Sequence, residues 1–348
     1  MISEAPKRIL IVKLSAIGDV LMATPVAHAL RTAFPQSHIA WVVEGKSADV
    51  VRGNPCLDEV IIFGRTKSGH VFNDASNFLR GVVSIRRELK SGKFDACIDL
   101  QGRLRSAFVC LLSGAKRRIG ASDATEHSQL LYTDKYEPRP DVTNIQQRNL
   151  DLLKPLGVDS TETAMHMPVC EDDREFADRY FQDHNLGKEK VVALCVATTW
   201  RSKHWTPEGW TAVADILWRK YGARSLMLGS KADIPLVQKI ADATECKPLI
   251  AAGQTTLKQA GAVMEKCVAV IGVDTGLLHM AVALDRPTVG LFGASDWRDF
   301  QKKDNFIWVA KDYPCSPCRR RPTCSDIDCM KSITPEDVEV AARPWLES

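Results

Sequence analysis

The chain predicts an α/β protein made of two doubly wound halves. Three observations carry this. At 348 residues it exceeds one ordinary core. Short β-branched runs alternate with helical periods, as in repeated βα units with right-handed crossovers. That grammar restarts near residue 191.

In the first half, Arg8–Leu14 reads as a strand and Val20–Phe34 as a helix. Thr24-Pro25 marks a kink in it, or a restarted first turn with Thr24 as cap. Ile39–Val43 is a strand, Ala48–Gly53 a short helix before Asn54-Pro55, and Val60–Phe63 a strand. Asn77–Ser91 reads as a helix, Ala96–Leu100 as a strand, Arg105–Leu112 as a helix and Arg117–Gly120 as a short strand. Residues Ala121–Asn144 are polar and weakly periodic, hence loop. Ile145–Leu156 is a helix stopped by Gly157, and Asp172–His184 is a charged amphipathic helix.

The second half opens with strand Val191–Val196. Helix Thr206–Tyr221 follows, with Thr206 as cap, Pro207 at its first position and Gly222 beyond its end. Ser225–Leu228, Pro248–Ala251, Val268–Ile271 and Thr288–Leu291 read as strands. Pro235–Ala243 and Leu257–Lys266 read as helices. The final helix, Pro335–Leu346, follows a Thr334 cap and carries Glu336 and Asp337 in its first turn. The expected domains are 1–167 and 191–333, joined by a linker at 168–190 and followed by a C-terminal helix at 334–348.

Composition fits a soluble globular protein, with 45% hydrophobic and 26% charged residues. The net charge of +3 makes no case for nucleic acid as main partner. Lys116–Arg118 and Arg319–Arg321 are local basic clusters, read as solvated loops or as contacts to an anionic substrate or membrane surface. No segment approaches the roughly 20 apolar residues that span a bilayer, and no cleavable signal is seen. The expectation is an unexported, cytoplasmic protein.

Seven of the 11 cysteines are scattered, mostly in apolar runs, as small buried hydrophobes of a reducing compartment. Cys315, Cys318, Cys324 and Cys329 form a Cys-x2-Cys-x5-Cys-x4-Cys cluster. Structural zinc, a disulfide and reduced thiols all remain open there, and a catalytic role is not expected.

Two turns carry chemistry in the second half. Asp274-Thr275-Gly276 sits between a buried strand and a short helix, where unpaired N–H groups and the helix dipole favour an anion. Thr198-Thr199-Trp200-Arg201-Ser202-Lys203 follows the half's first strand and offers hydroxyls and a mobile ammonium. Together they suit a diphosphate. Trp200, Trp205 and Trp210 read as packing, and His204 as a loop histidine. In the first half, Ser15–Asp19 occupies the corresponding strand end. Two readings fit Asp19: a helix N-terminal cap, or an ionised carboxylate that accepts a proton from a hydroxyl nucleophile. Lys13 beside it reads as a solvated strand-end lysine, a partner of Asp19 or a contact to an anionic substrate. Dinucleotide, P-loop and nucleophile-elbow signatures are missing from the sequence.

These residues resemble glycosyltransferase family 9, the ADP-heptose–lipopolysaccharide heptosyltransferases. Ile9–Pro25 is similar to the family's N-terminal motif, and Asp99–Ser106 to its acceptor-side segment. Thr198-Thr199 with Lys203 and Trp205 is similar to its phosphate-binding turn. Val273–His279 followed by Pro287–Gly293 resembles its most diagnostic motif.

The resemblance implies a GT-B fold, with two Rossmann-like domains facing across a cleft. It implies an inverting, metal-independent transfer of heptose from ADP-heptose to Kdo or heptose of the lipopolysaccharide inner core, with no cofactor. Asp19 would be the base. Thr198, Thr199, Lys203, Asp274, Thr275, Gly276 and His279 would bind the nucleotide sugar, and Lys13, Gln101 and Arg105 the acceptor. The Gln101-Gly102 pair leans toward Kdo as acceptor. The implied partners are the ADP-sugar and a lipid-linked oligosaccharide met by a monomer at the inner face of the membrane. The alternatives are a non-catalytic sugar-nucleotide binder, or a GT-B transferase or epimerase using another nucleotide sugar. One departure stands out. Family members can place an acidic residue after strand Ser225–Leu228 to hold the ribose, whereas this chain has Gly229-Ser230-Lys231-Ala232-Asp233. Lys231 cannot accept ribose hydroxyls, and Asp233 is displaced.

Overall fold

The computed structural model describes residues 5–64, 85–299, 304–318, 324 and 326–347. The chain divides into two compact units, Met1–Pro168 and Val169–Ser348.

The first unit holds strands β1 (Arg8–Val12), β2 (His38–Glu44), β3 (Glu59–Phe63), β4 (Ala96–Asp99), β5 (Arg117–Ala121) and β6 (Asp134–Tyr136). They form one sheet in the order β3-β2-β1-β4-β5-β6, parallel throughout. β1 and β4 are almost wholly buried, as central parallel strands covered on both faces must be. Helices α1 (Ile17–Leu21) and α2 (Thr24–Ala33) follow β1. Residues 85–91 are helical (α3), and the rest of the expected Asn77–Ser91 helix lies outside the described residues. Helices α4 (Leu104–Ser113) and α5 (Ile145–Asp151) complete the unit.

The second unit repeats the plan. Its strands are β7 (Val191–Cys195), β8 (Arg224–Met227), β9 (Leu249–Ile250), β10 (Ala269–Val273), β11 (Thr288–Phe292) and β12 (Phe306–Ala310). Their order is β12-β11-β10-β7-β8-β9, again parallel. Counted from its own first strand, this sheet has the same 3-2-1-4-5-6 order as the first, which is the Rossmann order. Helices α6 (Glu171–Asp183), α7 (Pro207–Tyr221), α8 (Ile234–Ala243), α9 (Leu257–Glu265), α10 (Gly276–Ala283), α11 (Asp328–Lys331) and α12 (Pro335–Leu346) surround it. The core beneath contains Leu194, Trp205, Trp210, Ile271, Val289 and Leu346.

Several elements differ from the sequence reading. Of the two readings of Thr24-Pro25, the restart holds: Val20–Phe34 is divided between α1 and α2, because Pro25 has no N–H to continue the ladder. Ala23, not Thr24, is the N-cap of α2. The Thr24 hydroxyl instead donates to Leu21 O at 2.7 Å and accepts from His166 N at 2.9 Å. The expected loop at Ala121–Asn144 contains β6, an edge strand. β12 adds a sixth strand to the second sheet. The helix in the 168–190 segment packs on α9 of the second unit, through Arg174–Glu265 at 2.9 Å and Lys266–Asp178 at 2.5 Å. Among the described residues no helix is long and apolar enough to cross a membrane.

Candidate active site

In a sheet of this order, ligands sit beyond the carboxyl ends of the two strands where the winding reverses. Those strands are β7 and β10 in the second unit. The loop after β7 carries Thr198 and Thr199 and tightens into a 3-10 turn at Arg201–Lys203. His204 Nε2 lies 2.8 Å from Thr198 O and closes this loop on itself. Trp205 and Trp210 are buried edge to face, with Trp205 Nε1 donating to Ile333 O, so both pack as expected. Gly272 permits the close approach of β10 to β7: a Cβ there would lie 2.9 Å from that of Cys195.

The two turns meet at Asp274. The Thr198 hydroxyl donates to Asp274 O at 3.1 Å. Lys203 Nζ lies 2.5 Å from Asp274 Oδ2, His279 Nε2 lies 3.1 Å from Oδ1, and the Ser295 hydroxyl donates to Oδ2. Burial alone would raise the Asp274 pKa, but the hydrogen bond and charge of His279, together with Lys203, outweigh it and hold the carboxyl far below its usual range. The anionic carboxylate thus fixes the ammonium and the imidazole in one place. Thr275 is the N-cap of α10 and makes no side-chain capping bond. Its hydroxyl and the first N–H groups of α10 follow directly on the carboxylate that holds Lys203, and donors of these kinds are the chemistry a diphosphate needs.

Thr198, Lys203, Asp274 and His279 are thereby linked directly. Thr199, Thr275 and Gly276 occupy the same two turns and are partly or fully exposed. Ser295 was missed by the sequence reading. Its signal was position: it lies just past the end of β11, the strand beside β10. In the turn after β8, Asp233 Oδ2 accepts from both the N–H and the hydroxyl of Ser230 at 2.7 Å. Lys231 is exposed, and its stem lies over Gly253.

The switch point of the first unit lies between β1 and β4. Asp19 is the third residue of α1, and its Oδ2 accepts from Ala16 N at 3.2 Å, the capping geometry. The side chain is only partly buried. Lys13 Nζ donates to Leu100 O at 2.8 Å, and Gln101 Oε1 accepts from Leu14 N at 3.1 Å and Ser15 N at 3.3 Å. Lys13 and Gln101 line a cavity of about 360 Å³ with Arg103, Asp123, Arg139 and Arg148. Two of its cations are held by carboxylates, Arg139 by Asp151 at 3.0 Å and Arg148 by Asp123 at 2.9 Å. Asp19 is not among the lining residues; it is joined to them through the Gln101 bonds to the backbone leading into α1.

Arg105 is not brought to this cavity. Its guanidinium pairs with Glu44 at 2.7 Å and lies 4.6 Å from the centre of the Phe63 ring. Arg103, from the same segment, and Arg139 and Arg148, from distant ones, line the cavity instead. The basic run Lys116–Arg118 is partly built into the fold, since Arg117 holds Asp134 and Arg118 caps Leu131 O. Arg319–Arg321 lies outside the described residues. All four clustered cysteines carry free thiols. Burial and the neighbouring Cys315, Cys318 and Cys324 push the Cys329 thiol up. Among the described residues, no three His, Cys, Asp or Glu side chains are grouped to hold a metal ion.

Two Rossmann-order units, one with two turns meeting on a buried carboxylate and one with a carboxylate and a basic cavity, define an α/β protein of the GT-B class. The particular family follows from comparison with known proteins. Residues 82–326 match the model of glycosyltransferase family 9 (heptosyltransferase), and the chain belongs to that family. It is 27% identical over 297 residues to the lipopolysaccharide core heptosyltransferase OpsX of Haemophilus influenzae, covering 84% of this chain and 80% of that protein. It is 26% identical over 340 residues to lipopolysaccharide heptosyltransferase 3 of Escherichia coli K12, covering 94% and 95%. A family 9 glycosyltransferase from Veillonella parvula superposes with a TM-score of 0.83 at 25% identity, covering 98% of both chains. The E. coli heptosyltransferase WaaC, solved with ADP-2-deoxy-2-fluoro heptose, shares the fold at a TM-score of 0.73 and 22% identity, covering 97% of this chain and 99% of that one.

Proposed function

We propose that this chain is an inverting heptosyltransferase that moves heptose from ADP-heptose to a sugar of the lipopolysaccharide inner core. The observation that carries the reading is the convergence of the Thr198–Lys203 and Asp274–His279 turns on one carboxylate at the second unit's switch point. Thr198, Thr199, Lys203, Thr275 and the Gly276 N–H bind the diphosphate of the donor. Asp274 and His279 hold that set in place.

Asp19 accepts the proton of the acceptor hydroxyl. The freed oxygen pair forms a bond to the anomeric carbon on the face opposite ADP. The bond from that carbon to the phosphate oxygen breaks, and its electron pair leaves with ADP. Lys203 and the turn donors stabilise the developing charge. Protein groups perform each of these tasks in this reading, with neither a cofactor nor a catalytic metal. The cavity at Lys13, Gln101, Arg103, Arg139 and Arg148 favours an acidic sugar such as Kdo as acceptor, and a lipid-linked acceptor places the reaction at the inner face of the membrane. An assay of ADP release from ADP-heptose against a panel of Kdo- and heptose-terminated acceptors tests this. Turnover with the Kdo acceptor supports it, and binding without turnover on any acceptor removes it.

The turn after β8 does not select the base: Asp233 is engaged by Ser230, and a ribose contact there would be common to ADP, UDP and GDP. Stabilisation of the protein against heat by ADP, but not by UDP or GDP, supports the adenine nucleotide. A preference for UDP assigns a different donor.

A further inference from the structure

The Asp99 carboxylate is buried, 1% exposed, in the wall of the first unit's cavity, with both oxygens engaged by protein donors. Burial raises its pKa, so its presence costs stability unless its hydrogen bonds accomplish something an apolar side chain could not. Its partners are specific. Oδ1 accepts from Gln101 N at 2.8 Å and Gly102 N at 3.1 Å, and Oδ2 accepts from the Tyr132 hydroxyl at 2.8 Å. The turn so held has Gly102 at a φ of 66°, a left-handed conformation that suits glycine. Tyr132 is itself fixed by β5: its ring lies so close over Gly120 that any Cβ there would overlap it.

This turn points Gln101 at the opposite loop, where its Oε1 accepts from Leu14 N and Ser15 N. Those amides belong to the backbone that leads into α1. Ala16, the next residue, donates to Asp19 at 3.2 Å. A continuous line of hydrogen bonds and backbone therefore runs Tyr132, Asp99, Gln101, Ser15, Asp19. Its first two members are buried and rigid, whereas α1 has only five residues and cannot fix Asp19 by its own length.

We propose that Asp99 and Tyr132 are positioning residues for the transfer reaction, holding Asp19 in its working orientation through Gln101. The inference rests on Asp19 being the base. Misplacing a reacting group by a fraction of an ångström costs rate rather than donor affinity, because the donor is bound by the other unit. Tyr132→Phe removes one hydroxyl and keeps the ring over Gly120.

The test measures kcat and KM for ADP-heptose in the full-length Tyr132→Phe, Gln101→Leu and double variants, beside Asp19→Asn. The account expects Tyr132→Phe to lower kcat about tenfold with donor KM unchanged. The double variant should be no slower than Gln101→Leu alone, because both changes break one line. The acidic limb of the kcat profile should stay at its wild-type pH in Tyr132→Phe, since the base is the same group. A Tyr132→Phe enzyme with wild-type kcat, beside an inactive Asp19→Asn, overturns the positioning role and leaves the base intact. Defects that multiply in the double variant also overturn it. An active Asp19→Asn enzyme removes the base assignment, and the inference with it, by a result seen in that variant alone. If Tyr132→Phe does not fold, Asp99→Asn retains the side chain's shape and carries the same expectation and the same refutation.

Discussion

Asp274→Asn tests whether the second unit's site is organised by a buried charge. The carboxylate is 11% exposed and Lys203 is 19% exposed, so water screens the pair little. Removing one member of a buried pair costs about 3–5 kcal/mol. Asparagine keeps one acceptor oxygen, and Lys203 reaches some solvent, which brings the cost just below that range, to about 2–3 kcal/mol. For a unit of this size that corresponds to a fall in Tm of about 5–10 °C. Circular dichroism melts of wild type and variant at several pH values measure it. The folded pKa of Asp274 lies below its unfolded value, so its stabilisation is fully present above the ordinary carboxylate range and is lost progressively as pH falls below that range toward the depressed folded value. The gap in Tm should therefore be present at neutral pH and narrow below about pH 4. A variant that melts within about 1 °C of wild type at neutral pH, or a gap that widens in acid, refutes the reasoning.

Two further outcomes follow from the same geometry. Gly272→Ala forces a methyl against Cys195 between β7 and β10, and denaturant unfolding should show a loss of about 1–3 kcal/mol. Arg148→Ala should raise acceptor KM at least several-fold, whereas Arg105→Ala should leave it near wild type, because Arg105 is engaged by Glu44 and Phe63 away from the cavity. Steady-state kinetics with varied acceptor distinguishes the two arginines.

The sheet strands were legible where burial on both faces left unbroken apolar runs, as at Ile9–Val12 and Ala269–Val273. Their order was not, because nothing local in a strand names its neighbour. β6 escaped because Asp134-Lys135-Tyr136 is a short polar edge strand whose register is set by pairing with β5. β12 is different: Phe306–Ala310 is apolar and β-branched enough to read as a strand from sequence. At the site, the turns after β1, β7 and β10 were legible because glycine, hydroxyl and charged residues follow buried strands. The arginines of the first unit's cavity were not. Arg139 and Arg148 come from a stretch without period and from α5, and only the fold brings them beside Lys13. Arg105 misled for the opposite reason. It shares a segment with Gln101, but as the second residue of α4 its side chain pairs with Glu44 instead.

The central claim is that Asp19 removes the acceptor proton while the second unit holds the donor. Transfer by Asp19→Asn, measured as ADP release alongside calorimetric binding of ADP, tests it most directly. The account predicts a rate lowered by about 10²–10⁴-fold with ADP affinity unchanged. Transfer at the wild-type rate would contradict it.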